Sequence, residues 1–241
     1  MRYSDPADVK SFGKGECVRS VFDFLANYVV LLALVVLFIW LNTLRLPGEN
    51  FFSYMAEHFN TLVYLMASVF LLCFTIYFYY FFEDKGVLAT QKSIWLIFLM
   101  LDVSSLVCYF FGYFFNIYSR PVAMLALLAL MLLGRRDAIF LNVIFALLMF
   151  AIDNFSNFSE INEYVNALPG TPLMAFSAGM IAIFVGNRVQ TRLRSFLTGF
   201  AVCAPILLMV ACLEFNRGME MVYLLPVSYT HLRAHETDQY L

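Results

Sequence analysis

The chain alternates between long apolar runs and short polar connections. Apolar runs occupy residues 22–41, 62–82, 94–115, 121–133, 138–152, 172–185 and 196–213. About 20 apolar residues in a helix cross the ~30 Å hydrocarbon core of a bilayer. The pattern therefore predicts an all-α fold, a polytopic transmembrane bundle of about seven helices.

The fourth and fifth runs are short, and only the segment 134–137 separates them. It reads Gly-Arg-Arg-Asp. Two interpretations stay open: two tilted spans joined by a tight turn, or one re-entrant hairpin that does not cross. We favour two spans, because a hairpin would move Arg135 and Arg136 into the membrane.

The positive charges predict an orientation. Lys and Arg resist translocation, so short cytoplasmic loops are rich in them. If all seven runs cross, one side of the membrane carries Arg2, Lys10, Lys14, Arg19, Lys85, Lys92, Arg135, Arg136, Arg188, Arg192 and Arg194, whereas the other carries Arg45, Arg120 and Arg217. The N-terminus is therefore expected in the cytoplasm.

Composition supports the membrane class and narrows the partners. Hydrophobic residues make up 62% of 241, charged residues 13%, and the mean hydropathy is +0.79. A net charge of −2 offers no basic surface for nucleic acid. The expected partner is the lipid bilayer, and nucleic acid is not expected.

The runs and connections predict a domain organisation. We expect a cytoplasmic segment at 1–21, an anchor helix at 22–41, a short extracytoplasmic loop at 42–60 and a membrane bundle at 61–226. A second outside loop, 153–170, is expected to be solvated. The last residues, 227–241, read VSYTHLRAHETDQYL. This string resembles a translated sequencing adapter, and we leave it out of the fold prediction.

Two polar residues lie inside apolar runs. Asp102 is an acid deep in the third run, where a charged carboxylate costs about 2.5–3.5 kcal/mol on insertion scales. It is expected to face the bundle interior, either as a proton, ion or ligand contact or as a structural hydrogen bond between helices. Asn142 lies in the middle of the fifth run, and there the interhelical hydrogen bond is favoured.

Other residues point to packing or to the membrane surface. Ala175 and Gly179 form a small-x-x-x-small pair that lets a neighbouring helix approach closely. Pro205 inside the seventh run suggests a kink or hinge, although a proline that the membrane helix merely tolerates is the commoner case. Arg188, Arg192 and Arg194 form a basic cytoplasmic loop that is open to contact with anionic headgroups or a cytoplasmic partner, although we favour a role in orienting the neighbouring helices.

The residues present do not assemble catalytic chemistry. The sequence shows no nucleophile beside a histidine, no glycine-rich phosphate loop and no paired carboxylates. The five cysteines are scattered without a Cys-x-x-Cys pair, which favours buried, inert thiols. No catalytic residue, metal ligand or cofactor is therefore predicted in this chain.

Two segments carry a resemblance to a known family. PVAMLALLALMLLGRRDAIFLNVIFALLM and FSAGMIAIFVGNRVQTRLRSFLTGFAVCAPILLMVA resemble the membrane domain of the seven-transmembrane HD-hydrolases, which are bacterial cyclic di-AMP phosphodiesterases. The characteristic parts are a short helix ending at Gly134 and Arg135, and a small-residue helix that runs into a basic loop, 178–194.

The resemblance implies an architecture that this chain matches in part. Family members have an anchor helix, an extracellular domain, seven membrane helices and a cytoplasmic metal-dependent HD domain. Here only 42–60 stands in place of the extracellular domain, and no His-Asp dipeptide occurs. The implied protein is a bacterial plasma-membrane signalling module in a truncated product, whose partner would be a downstream HD domain.

Two function hypotheses follow, from different classes. The first is a sensory or regulatory membrane module that controls an HD phosphodiesterase domain absent from this chain. The alternative is a small-molecule transporter or its substrate-binding membrane subunit, which the intramembrane polar residues also fit. A scaffold that binds other membrane helices through Ala175 and Gly179 stays open as a third.

Overall fold

The computed structural model describes residues 14–44, 51–83, 91–115, 117–155, 171–186, 199–208 and 211. Every regular element in these ranges is a helix, which confirms the all-α prediction for the described part of the chain. The helices are α1 (Lys14–Thr43), α2 (Phe51–Glu57), α3 (Phe59–Glu83), α4 (Gln91–Phe114), a 3-10 turn (Ile117–Ser119), α5 (Met124–Leu132), α6 (Arg135–Phe155), α7 (Thr171–Gly186) and α8 (Gly199–Leu208).

Within the described ranges, four helices are long and apolar enough to cross a membrane: Ser20–Thr43, Leu62–Phe82, Ser93–Phe114 and Arg135–Asn154. Helices α7 and α8 are shorter apolar helices. Helix α5 has 9 residues and is about 14 Å long at 1.5 Å per residue. It covers only about half of the hydrocarbon thickness.

The outward faces of the long helices are apolar. Phe74 is 50% exposed, Leu99 58% and Leu71 61%. On α3, the Ser68 hydroxyl is satisfied within its own helix, because it donates to the Tyr64 carbonyl oxygen at 2.8 Å. These faces are compatible with contact to the lipid bilayer.

Helices α1, α3 and α4 pack side by side around buried aromatic side chains. Phe38 of α1 stacks on Tyr109 of α4, with ring centroids 4.0 Å apart. Tyr77 of α3 contacts Phe98 of α4 at 5.8 Å, and Asn27 of α1 donates to the Tyr77 hydroxyl at 3.0 Å. The three helices therefore share one core.

Helices α5, α6 and α7 form a second closely packed group, and Gly134 turns the chain between the first two. Its φ of 109° is open to glycine and strained for other residues. Its N–H donates to the Ala129 carbonyl oxygen at 3.1 Å, which closes α5, and its own carbonyl oxygen accepts from Ala138 at 3.0 Å, which starts α6. Runs four and five are thus two helices with a tight turn.

Three sequence boundaries change. Helix α1 begins at Lys14, inside the segment 1–21, and α2 occupies part of the loop 42–60. Placing Asp153 in a solvated loop was wrong, because it lies in the last turns of α6 and is 1% exposed. An acidic residue at the end of an apolar run can remain part of the helix when a cation pairs with it there. The rest of that loop and the tail 227–241 lie outside the described residues.

Candidate functional site

A buried ion pair joins the connection between α4 and α5 to the end of α6. Arg120 follows the 3-10 turn and precedes Pro121. Its Nη1 atom lies 2.7 Å from both carboxylate oxygens of Asp153. The two side chains are 2% and 0% exposed. The pair is therefore shielded from the surroundings by the protein itself.

Gly112 of α4 makes room for the guanidinium. A Cβ atom added at this glycine would collide with Nε of Arg120 and lie 3.0 Å from Nη2. Such distances are far below an ordinary van der Waals contact, so the α4 backbone rests directly on the charged group. Three segments meet at this point: α4, the α4–α5 connection and α6.

The backbone fixes the direction of Arg120. Its carbonyl oxygen accepts a hydrogen bond from Val122 N–H at 2.8 Å, across Pro121. Proline holds its own φ near −65° and restricts the preceding residue. The flanking Ser119 is 1% exposed. The turn thus points the Arg120 side chain inward, toward Asp153.

Burial makes this pair sensitive to the loss of either partner. Taking two charges out of water costs several kcal/mol per ion, and their attraction and hydrogen bonds offset that cost only while both are present. Removing one partner from a buried pair costs about 3–5 kcal/mol. The arrangement can therefore hold Arg120 and Asp153 together firmly, and its opening would need a replacement for one of the two charges.

The other end of α6 carries a second group of arginines, at the Gly134 turn. The guanidinium of Arg135 lies 4.5 Å from the ring centre of Phe184 on α7. Arg136 donates through Nε to the Tyr79 hydroxyl of α3 at 3.2 Å, and Tyr79 donates to Asp137 at 3.3 Å. We call this group the Arg135 end of α6. The opposite end of α6, where Asp153 pairs with Arg120, is called the Arg120 end.

The predicted packing residues meet one of the predicted polar residues. Asn142 of α6 donates to the Phe176 carbonyl oxygen of α7 at 3.0 Å. A Cβ atom added at Gly179 would collide with the Asn142 side chain. Ala175, one turn earlier, is fully buried. The small residues of α7 therefore lie against α6, and Gly179 accommodates the Asn142 amide.

Asp102 lies apart from these contacts. It is half-buried on α4, and within the described ranges its Oδ1 atom is buried without a hydrogen-bond partner. The Ser104 hydroxyl is likewise buried without one in those ranges, whereas Ser105 donates to the Leu101 carbonyl oxygen at 2.8 Å. The hydrogen bonds described for Asn142 do not involve Asp102, so the two predicted polar residues are separate features.

The remaining predicted residues divide in two. Pro205 lies within α8, which continues to Leu208. Arg188, Arg192 and Arg194 lie outside the described residues.

The cysteines that the structure describes beyond α1, at positions 73, 108 and 203, are buried free thiols. Across the described ranges, no group of three or more His, Cys, Asp or Glu side chains could hold a metal.

Sequence reasoning missed the pairing of Arg120 with Asp153. It treated the arginine as a loop charge and the acid as part of a solvated loop. One signal was available: the two opposite charges flank apolar runs at ends that the seven-run topology places on the same side of the membrane. The observation that 33 residues separate them does not argue against contact in a helix hairpin.

Comparison with known proteins adds no assignment to this geometry. No family model, curated protein or solved structure matches the chain.

Proposed function

We propose that this chain is a membrane-embedded sensory or regulatory module that controls a cytoplasmic HD-type phosphodiesterase domain encoded further downstream. One observation carries the proposal. Helix α6 joins a buried ion pair at its Arg120 end to exposed arginines at its Arg135 end. A rigid helix with a polar contact at each end can transmit a change at one end to the other, as a receptor must.

The proposed topology has about seven crossings and a cytoplasmic N-terminus, in a bacterial plasma membrane. The excess of Lys and Arg on one side supports this orientation. It places the Arg120 end of α6 on the outer side and the Arg135 end on the cytoplasmic side. In this arrangement α5 and the non-helical residues before it together make one crossing, and α7 and α8 make two more.

The length of α6 suits transmission across the bilayer. Its 21 residues extend about 31 Å at 1.5 Å per residue. Helix α7 lies along it through Phe176 and Gly179, and its far end lies under Arg135. A displacement at the Arg120 end would therefore reach the start of the basic loop that contains Arg188, Arg192 and Arg194.

The ion pair gives the proposed switch its two states, one with the pair closed and one with the pair open. A ligand shifts a conformational equilibrium only through its different affinity for the two states. An anionic or cationic group that replaced Asp153 or Arg120 in the pair would release the α4–α5 connection from α6. Shifts of 1–2 Å between packed helices are common in such transitions. We propose this exchange as the signal-receiving step.

Two features, one of α5 and one of α7, correspond to the motifs on which the proposed family resemblance rests. The resemblance to seven-transmembrane HD-hydrolases rests on a short helix that ends at Gly134 and Arg135, and α5 is short and ends at Leu132. It also rests on a small-residue helix, and α7 packs its small residues against α6. These contacts give the motif residues a common physical role in one helical unit.

The first experiment reads the genomic locus past the codon for Pro226. We expect one further apolar helix and then a domain with a His-Asp pair. Membranes that contain the complete product should hydrolyse cyclic di-AMP with Mn²⁺ present. The Arg120→Ala variant should change that rate, whereas Arg136→Ala should change it less.

A stop codon directly after the last helix would overturn the proposal. In that case the alternative function, a small-molecule transporter or its substrate-binding subunit, would be the better hypothesis. One observation favours that alternative, namely the buried Oδ1 atom of Asp102, which lacks a partner among the described residues. Uptake of a labelled substrate into proteoliposomes would then be the readout.

A further inference from the structure

Asp102 lies near the middle of a membrane-crossing helix. The candidate span is Ser93–Phe114, so Asp102 stands about 14 Å from one end and about 18 Å from the other at 1.5 Å per residue. The adjacent Leu99 and Val103 are 58% and 42% exposed and apolar. The carboxyl group therefore lies too deep for a three-atom side chain to reach either interface.

The helix register places few ionisable groups around it. Tyr77 of α3 contacts Phe98 of α4. One helical turn from this contact, the register of the two helices brings Cys73 of α3 close to Asp102 of α4. The Cys73 side chain is fully buried. The neighbour across this contact is thus a thiol, and not a cation that could pair with a carboxylate.

The other helices packed on α4 carry their ionisable groups near their ends. Asp23 of α1 interacts with Trp95 in the first turns of α4. Helix α5, with the sequence MLALLALML, has no ionisable side chain. On α6, Arg135, Arg136 and Asp137 lie in the first turn, and Asp153 is paired with Arg120 near the last. No described cation is therefore placed to balance a negative charge on Asp102.

Burial without a partner decides the protonation state. The Oδ1 atom is buried and accepts no hydrogen bond from the described residues. An ionised carboxylate in such surroundings has lost its hydration without compensation, so the group neutralises instead. The side chain is only half-buried, and the face beside it is formed by Leu99 and Val103, which lipid would cover.

We propose that Asp102 is a proton-binding site in the membrane interior: a neutral carboxylic acid that carries its proton at neutral pH and is open to the lipid side. This inference goes beyond the regulatory function and does not depend on it. A bound proton that can leave when a cationic group approaches is the chemistry by which a membrane protein senses or couples to proton concentration.

The test combines two measurements on the full chain in membranes. Dicyclohexylcarbodiimide is an apolar reagent that a carboxylic acid attacks: the carboxyl oxygen bonds to the carbodiimide carbon and the acid proton moves to nitrogen, so the whole reagent is added and nothing leaves. We expect one adduct on the peptide that contains Asp102 and none on the peptide that contains the ion-paired Asp153. A water-soluble carbodiimide should not label Asp102.

Infrared spectroscopy checks the proton independently of access. The native chain should show the C=O band of a protonated carboxyl group at neutral pH, Asp102→Asn should lose that band and the adduct, and Asp102→Glu should keep both. The asparagine variant is nearly isosteric, so folding is expected to persist. A native chain with no band that Asp102→Asn removes, or with no adduct on Asp102, would overturn the proposal.

Discussion

Arg120 places its Nη1 atom 2.7 Å from each carboxylate oxygen of Asp153, inside a protein whose surface is otherwise apolar along these helices. The pair links the α4–α5 connection to α6, and Gly112 of α4 packs directly against the Arg120 guanidinium. Its position at one end of the α5–α6–α7 group makes it the feature on which stability should depend, and on which the proposed signalling function would depend.

Removing one partner of this pair should destabilise the fold strongly. Arg120→Ala is expected to lower the free energy of unfolding by about 3–5 kcal/mol, because it leaves Asp153 buried without compensation. Unfolding in mixed micelles measures this. The matched control is Arg136→Ala, which removes an exposed arginine bonded to Tyr79 and should cost at most about 1 kcal/mol.

Replacing both partners with apolar residues should restore much of the loss. Arg120→Met combined with Asp153→Leu removes both buried charges, and such replacements are often neutral or stabilising. The same micelle assay should place the double variant above either single one. Equal losses for the single and double variants would show that shape, not charge compensation, determines the stability of this site.

A methyl group at Gly112 should disturb the same site from the α4 side. Its Cβ would collide with the Arg120 guanidinium, and forced overpacking costs about 1–3 kcal/mol. In an Arg120→Ala background the collision disappears, so Gly112→Ala should then cost little. This double-mutant cycle isolates the contact. Additive losses in the cycle would mean that the glycine serves another purpose.

Gly179 offers a parallel test on the other side of α6. Gly179→Ala should cost about 1–3 kcal/mol, because its Cβ would collide with the Asn142 amide. Gly186→Ala on the same helix is the control, since its Cβ would meet Leu130 and Leu127 at 3.4 and 3.5 Å, which are nearly ordinary contacts. Thermal unfolding in detergent should separate the two variants. Similar midpoints would argue that α7 can shift away from α6.

The hydrophobic pattern of the sequence was sufficient to predict the helices, but it did not predict the polar contacts between them. Hydrophobic runs had to become helices, because lipid leaves no other partner for backbone N–H and C=O groups. The Gly134 turn could also be predicted, since two apolar runs meet within four residues there. The ion pair could not, because hydropathy does not show that Pro121 and the 3-10 turn point Arg120 inward.

The short helix α5, which the fourth apolar run forms, shows a second limit of the sequence pattern. The run 121–133 has thirteen residues, yet helix is confined to Met124–Leu132. The preceding residues form turns that orient Arg120, and Val122 N–H bonds back to its carbonyl oxygen. The residues before Met124 therefore form turns that place a buried charge, and they do not lengthen the helix. This is a requirement of tertiary packing, and the apolar composition of the run does not predict it.

The orientation gives the last prediction. Because Lys and Arg accumulate on one side of the seven runs, reporter fusions should alternate. Alkaline phosphatase, which is active only outside the cytoplasm, should be active when fused after residue 160. It should be inactive after residue 88, where green fluorescent protein should fluoresce. The Arg120 end of α6 would then face outward and the Arg135 end the cytoplasm. Phosphatase activity at residue 88 would reverse the topology and place the buried ion pair on the cytoplasmic side, where it could not receive an external signal.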